Sequence, residues 1–310
     1  MMSIKRIFAY AAIYLLWGGA YLAVRVLVEV VPSFLAAGAR YFLAALCLVP
    51  FIFLSRSQTP SLRQSWNAVW TGVLLLVAGY GVVFWAEKRL PSWMVAVLVS
   101  TTFLWTYLAE CFVLRSFRFR RVMLVPLLAG SAGMPLVAGG ALQRVGISLF
   151  PALAVLLGAF CWSAGSVSVK SIDMPRSTLH TVAIQLASSG ILLLSLSAAL
   201  GEWTEAPATA RIIAWRPMTA MVYLVFGASL IGFGAFHWLL KHEPASMVAT
   251  SSYVNPIVAM VLGMAAAHER SSLLQFAGAV AVLVSIIAVW FFQTPASGLE
   301  IMAIEQTPVP

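Results

Sequence analysis

Long apolar runs alternate with short polar breaks along almost the whole chain. Ten such runs can be drawn, near residues 7–27, 33–54, 66–86, 91–114, 122–140, 148–170, 176–199, 217–240, 244–266 and 271–293. A helix needs about 20 apolar residues to cross the hydrocarbon core of a bilayer. The pattern therefore predicts an all-α integral membrane protein of ten transmembrane helices with short loops. Pro32, Pro91, Pro217 and Pro244 mark helix starts, because proline fits a first turn whose N–H groups lack intrahelical partners. Trp66, Trp70, Trp93, Trp203, Trp215 and Trp290 fall near run ends, where the membrane interface favours amphipathic rings. The first run follows Lys5 and Arg6 but is too long for a signal peptide, ends on Arg25 and offers no small-residue cleavage site. It reads as a first span.

Composition strengthens this picture. Hydrophobic residues make up 62% of the chain, charged residues 9%, and the mean hydropathy is +0.95. A soluble domain carries roughly a quarter charged residues, so lipid must surround most of this one. The net charge of +9 does not point to nucleic acid, because the basic residues sit in loops between apolar runs. With the N-terminus inside, the interior loops carry eleven Lys/Arg, including the run Arg115, Arg118, Arg120 and Arg121, against seven outside. That bias puts both termini in the cytoplasm. The tail 294–310, with three prolines and two glutamates, is expected to be disordered. Cys47, Cys111 and Cys161 lie within apolar runs at no metal-binding or disulfide spacing, and read as packing thiols.

The chain also repeats itself. Residues 81–96 and 234–249 share seven of sixteen identities, among them Gly81/Gly234, Trp85/Trp238, Lys88/Lys241 and Pro91/Pro244; chance gives about one or two in so biased a composition. Earlier in each half an offset of 145 pairs Trp17 with Trp162, Arg25 with Lys170 and Arg40 with Gln185. Residues 1–140 and 141–293 thus form two repeats of five spans. An odd span number inverts the second copy, the build of many secondary transporters; a channel or an intramembrane enzyme could also arise by such duplication.

Candidate site residues follow from polarity inside the spans. Trp17 and Trp162 are mid-span at repeat-related positions beside small residues, and each indole N–H needs an acceptor; they are expected to wall a central cavity, although small residues also serve close helix packing. Ser100, Thr101 and Thr102 in the fourth span, and Thr250 through Pro256 in the ninth, are unusually polar for a bilayer centre. Pro256 removes a backbone hydrogen bond, so the helix beside Asn255 is expected either to open toward a polar ligand or merely to kink. Tyr80 and Tyr253 add aromatic surface. Arg40 reads either as snorkelling or helix-tying, or as the edge of the site with Gln185. Glu110 is expected to pair with the basic 115–121 loop rather than to carry protons. His237 is expected to be structural, yet it is the best intramembrane candidate for titration near neutral pH.

No motif for chemistry is visible. The chain has no GxxxxGK[ST], no HExxH and no serine with a His partner at a recognisable spacing, so neither ATP hydrolysis nor catalysis is expected, and no cofactor or metal is implied. The competing class is an intramembrane enzyme acting on a lipid-linked substrate, for which Glu110 and His237 are the available groups.

The run from Trp17 to Arg25 (WGGAYLAVR) resembles the WGSTYxxIR opening of the EamA family of the drug/metabolite transporter superfamily. Ala37-Gly38-Ala39-Arg40-Tyr41, Cys161 through Ser166 and Ala249 through Ala259 agree with it, and His268-Glu269-Arg270 stands at the family's Gly-Glu-[RK/T]. The resemblance implies two inverted five-helix repeats around a central cavity in a bacterial inner membrane, exporting amino acids, other metabolites or toxic compounds. It covers about residues 7–293. Two departures stand out: the first-half counterpart of Asn255-Pro256 is Thr102-Phe103, and Leu114-Arg115-Ser116-Phe117 replaces the usual Gly-Glu after the fourth span. Both readings together give an exporter of a small metabolite, such as an amino acid, by alternating access. Trp17, Tyr80, Trp162, Tyr253 and Asn255 would line its cavity, with Arg40, Gln185, Pro256, His237 and Glu110 in supporting or gating places.

Overall fold

The structure is a computed structural model that describes residues 3–55, 57–90, 92–115, 121–137, 149–204, 214–267 and 272–293. The basic loop from 116 to 120, the boundary between the halves at 140/141, His268-Glu269-Arg270 and the tail 294–310 lie outside the described residues, as does Pro91. Among the described residues every regular element is helical.

Among the described residues, eight helices are long and apolar enough to cross a membrane. Four lie in the first half: α1 (Ile4–Val28), α2 (Ser33–Leu54), α3 (Leu62–Glu87) and α4, whose apolar stretch is Met94–Phe112. The shorter α5 (Leu124–Val137) closes that half. In the second half come α6 (Leu149–Ser171), α7 (Thr178–Ala199), α8 (Trp215–His242) and α9, of which Ala245–Leu262 is long and apolar enough to cross. The last helix is α10 (Leu273–Gln293).

Local chemistry sets the helix starts. Pro32 and Pro244 stand at the N-caps of α2 and α9, and Pro217 sits in the first turn of α8. α3 begins at Leu62, four residues before the expected start, because Ser61 and Gln64 close a reciprocal capping box. Two backbone N–H groups are satisfied there at once.

Large apolar side chains such as Phe8, Leu157, Ile231, Ile287 and Phe291 point outward, whereas Thr106, Gln185, Ser189 and Asn255 are buried. That inversion of soluble-protein order fits a lipid surround, where backbone and polar groups must find partners within the bundle. α2 crosses α7 near mid-length of both, with Gly38 against the Leu194 backbone and Gly190 against the Phe42 backbone. α5 pairs with α10 in the same close manner through Gly133 and the Gly278 carbonyl. α1 packs on α8 and α9, while α6 packs on α3 and α4.

Two irregularities recur in both halves. α3 and α8 each pass through a π-helical stretch, Val73–Gly81 and Tyr223–Gly232. α4 is interrupted between Ser92–Ser100 and Thr102–Phe112, and α9 between Ala245–Ala249 and Ser251–Ala267. At both breaks a threonine hydroxyl bonds back three residues: Thr101 to the Leu98 carbonyl at 2.7 Å and Thr250 to the Met247 carbonyl at 2.6 Å. Such back-bonding competes with the helical ladder. Of the two expectations for Asn255-Pro256, an opening or a kink, the helix shows no opening there. The helix runs through Pro256, and the tightened turn lies six residues earlier, at Thr250.

Candidate functional site

The helix irregularities surround a narrow cavity of about 30 Å³ between α1, α3, α4, α6, α8 and α9. Its walls include Trp17, Tyr80, Trp162 and Phe236, with Thr102 and Asn255 on the two broken helices. Its lining is mostly apolar with a few placed polar groups, the make-up of small-molecule sites.

The π-helical stretches seat the tryptophans. Trp17 Nε1 donates to the Ala228 carbonyl at 3.1 Å, an acceptor that also receives the Phe233 N–H across the wide π turn. A Cβ added at Gly232 would lie 2.7 Å from Trp17 Nε1, and one at Gly79 would lie 3.4 Å from Trp162 Cβ. Glycine at 232 is therefore required for the indole to approach the backbone. The two tryptophan rings meet edge to face at 5.5 Å, and Tyr80 and Phe236 each stand 5.4 Å from Trp162. Aromatic pairs favour such offset arrangements.

Polar capacity is concentrated at the breaks. Ser252 Oγ donates to the Ala249 carbonyl at 2.8 Å and reaches the Ser100 carbonyl of α4 at 3.3 Å, which ties the two interrupted helices together. Asn255 is 3% exposed and its Oδ1 has no partner among the described residues; Thr102 Oγ1 is likewise buried and unpartnered among them. Buried polar atoms are nearly always hydrogen-bonded, so these two, on the cavity wall, are open to a ligand or water.

Of the five expected lining residues, the structure brings Trp17, Tyr80, Trp162 and Asn255 together and sends Tyr253 elsewhere. Tyr253 is fully buried against Phe103 at 5.1 Å, with its hydroxyl donating to the Leu127 carbonyl at 3.3 Å. Two residues apart on a helix lie about 200° apart, so Tyr253 and Asn255 cannot face one space. Phe236, missing from the sequence reading, lies one turn from Phe233 on the inward face of α8, and helical spacing was the signal that could have found it. Thr102, noted there only for its polarity, is on the wall as well.

The supporting residues separate. Arg40 borders a smaller adjoining space of about 10 Å³ that shares Trp17, Tyr80 and Trp162 with the main cavity. Gln185 is away from both, with Nε2 donating to Thr71 Oγ1 at 2.9 Å across α7 and α3. His237 is buried edge-on against Phe233 at 4.6 Å and Phe236 at 5.3 Å.

Residues 116–120 of the basic loop expected to pair with Glu110 lie outside the described residues. The Glu110 carboxylate is fully buried and accepts the N–H groups of Ala245 and Ser246, the latter at 3.1 Å, together with the Ser246 hydroxyl. It caps the start of α9, whose free N–H groups attract negative charge.

Basic residues clasp the two ends of the bundle. Arg25, in the last turn of α1, donates to the Glu87 carbonyl at the end of α3. Lys170, in the last turn of α6, donates to the Leu240 and Glu243 carbonyls at the end of α8, each at 2.8 Å. Arg6 joins the second clasp through an ion pair with Glu243 at 3.0 Å.

Comparison with known proteins gives concordant results. The model of the EamA-like transporter family matches residues 5–134 and again 149–291. The chain is 30% identical to the uncharacterized inner membrane transporter YedA of Escherichia coli (strain K12), over 91% of this chain and 89% of that one. It is 24% identical to a probable amino-acid metabolite efflux pump of Salmonella typhimurium, over 92% and 94%. A solved crystal structure of 20% identity has the same fold, with a TM-score of 0.76 over 94% of this chain and 99% of that one.

Proposed function

The chain belongs to the EamA-like transporter family, and on that premise we propose that it is a secondary exporter of a small metabolite working by alternating access. In this reading ten helices span the bacterial inner membrane as two inverted repeats, residues 1–140 and 141–293, with both termini cytoplasmic. The substrate occupies the cavity walled by Trp17, Tyr80, Trp162 and Asn255.

The observation that carries the reading is a set of contacts present once in each half. Trp17 rests on Gly232 and Trp162 on Gly79 across the halves; Arg25 reaches the Glu87 carbonyl within the first half and Lys170 the Leu240 carbonyl within the second. One contact of each pair maps onto the other by offsets of 145 and 153, the same offsets that relate the two halves. Contacts duplicated in this way support two copies that can trade conformations, which is how inverted repeats expose one site to either side. The Arg25 clasp closes one end, and the Lys170 clasp with Arg6–Glu243 closes the other.

Amino acids and related compounds fit the aromatic walls and the paired polar atoms, and the printed name of the Salmonella relative points the same way. No carboxylate is among the lining residues of either space, and Glu110 is engaged in capping α9. Facilitated or weakly proton-linked transport is therefore the coupling this reading favours. Proteoliposomes holding the purified chain should show saturable counterflow of at least one metabolite from an amino-acid panel. Flux that stays linear with concentration, or equals that of empty vesicles, contradicts the proposal.

A further inference from the structure

Arg40 presents a problem that packing alone does not solve. It is 4% exposed, seven residues into α2, which places it about 10 Å along the helix from its start at 1.5 Å per residue. Its Nε donates to Ser229 Oγ at 2.8 Å on α8, but Nη1 is buried with no acceptor. The ion pairs found among the described residues are Arg6–Glu243 and Arg25–Glu29, so none reaches Arg40. The guanidinium instead faces the rings of Tyr41 at 5.1 Å, Phe84 at 5.8 Å and Tyr80 at 5.9 Å. Cation–π contact offsets only part of the cost of a charge kept from water, and intramembrane charges normally pair.

The surroundings indicate what is missing. Arg40 borders the smaller space, which opens on the same three walls as the main cavity, Trp17, Tyr80 and Trp162. Neither space has an acidic side chain on its wall. Arg40 is thus the charged side chain on these walls, set against aromatic and aliphatic surface, with the buried Glu87 behind Tyr21 and Tyr80. An arginine fork matches a carboxylate with two parallel hydrogen bonds. Tyr41 Oη, also buried without a partner among the described residues, lies on the smaller space beside Arg40, whereas Asn255 Oδ1 and Thr102 Oγ1 lie on the larger one.

We infer that Arg40 binds the carboxylate of the transported molecule, so that the substrate is a carboxylate with an apolar body lying along Trp17 and Trp162. The inference rests on the transport reading of the same cavity and narrows its substrate class. In it Ser229 orients the guanidinium through Nε and leaves Nη1 to the substrate. The aromatic ring of Tyr80, common to both spaces, separates the charged end from the body. A cationic solute of the same shape is disfavoured by the Arg40 charge.

The test uses the full chain in nanodiscs, with quenching of tryptophan fluorescence as the readout. The probes are matched pairs: 3-phenylpropanoate with 3-phenylpropanamide, and L-leucine with L-leucinamide. The carboxylate of at least one pair should bind about tenfold more tightly than its amide, the scale of one hydrogen bond to a charged group. R40Q should abolish that preference. R40K, which keeps the charge but loses the fork, should retain part of it. Equal binding of carboxylate and amide to the unaltered chain, or no carboxylate binding at all, overturns the inference without recourse to any variant. An unchanged preference in R40Q overturns it too. Saturable flux of a neutral or cationic solute alongside either result would leave the transport reading standing, whereas absence of all flux would remove that reading itself.

Discussion

Trp17 and Trp162 meet edge to face with ring centroids 5.5 Å apart, although they stand at the same place in two halves of the chain. Each rests on a glycine in the π-helical stretch of the opposite half, Trp17 on Gly232 and Trp162 on Gly79. π-helical turns are uncommon and concentrate at functional sites. Here they widen the backbone where the indoles enter, and they put both rings on one cavity.

The first prediction separates cavity residues from packing residues on α9. Asn255→Ala removes an unpartnered buried acceptor from the wall, and Trp162→Ala removes the ring shared by both spaces. Each should lower transport by about tenfold, the scale of one lost hydrogen bond or ring contact, with expression intact. Tyr253→Phe should instead leave transport near its original rate and cost about 0.5–1.5 kcal/mol of stability from the lost bond to Leu127. Flux assays and thermal melting of the same preparations check both halves of the contrast.

A second prediction concerns the close approaches. A Cβ at Gly18 would lie 2.5 Å from Val258 Cβ on α9. Gly18→Ala should therefore force α1 and α9 apart and destabilise the fold by about 1–3 kcal/mol. Gly234→Ala, where nothing lies within 4 Å of the added Cβ, should be close to neutral in the same melting assay.

The third prediction tests the cap on α9. Glu110→Gln replaces a carboxylate that accepts two N–H groups and a hydroxyl with an amide whose NH₂ faces other donors. The loss should be about 1–3 kcal/mol, seen as a lower melting temperature. Because the carboxylate serves the cap, a pH-jump flux assay on surviving Glu110→Gln protein should keep the original pH dependence. Loss of that dependence would make Glu110 a proton carrier.

Much of this was legible in the sequence, for identifiable reasons. Hydropathy reports the runs directly, since a span has no other way to satisfy its backbone in lipid. Trp17 and Trp162 could be paired because the repeat kept both indoles. The π-helical stretches were not legible: Val73–Gly81 reads as an ordinary apolar run, and its hydrogen-bond pattern depends on what packs against it. Pro256 is the strongest local signal for a break in α9, yet the helix runs through it and the interruption lies at Thr250. Thr101 makes the matching turn in α4, so the two broken helices are more alike than the Asn-Pro pair suggested. The cap that Glu110 makes was not legible, because the N–H it accepts is 135 residues away in the chain.

Alternation between the two end clasps is the central claim, and site-directed labelling measures it most directly. The reporter is Ser252→Cys, a cavity position, in a chain with Cys47, Cys111 and Cys161 replaced and held in vesicles of known orientation. Arg25→Ala removes the clasp between α1 and α3, and should raise labelling from the face where α1 ends. Lys170→Ala removes the clasp between α6 and α8, and should raise labelling from the opposite face. Increases from one and the same face in both variants, or in neither, would contradict alternating access by the two halves.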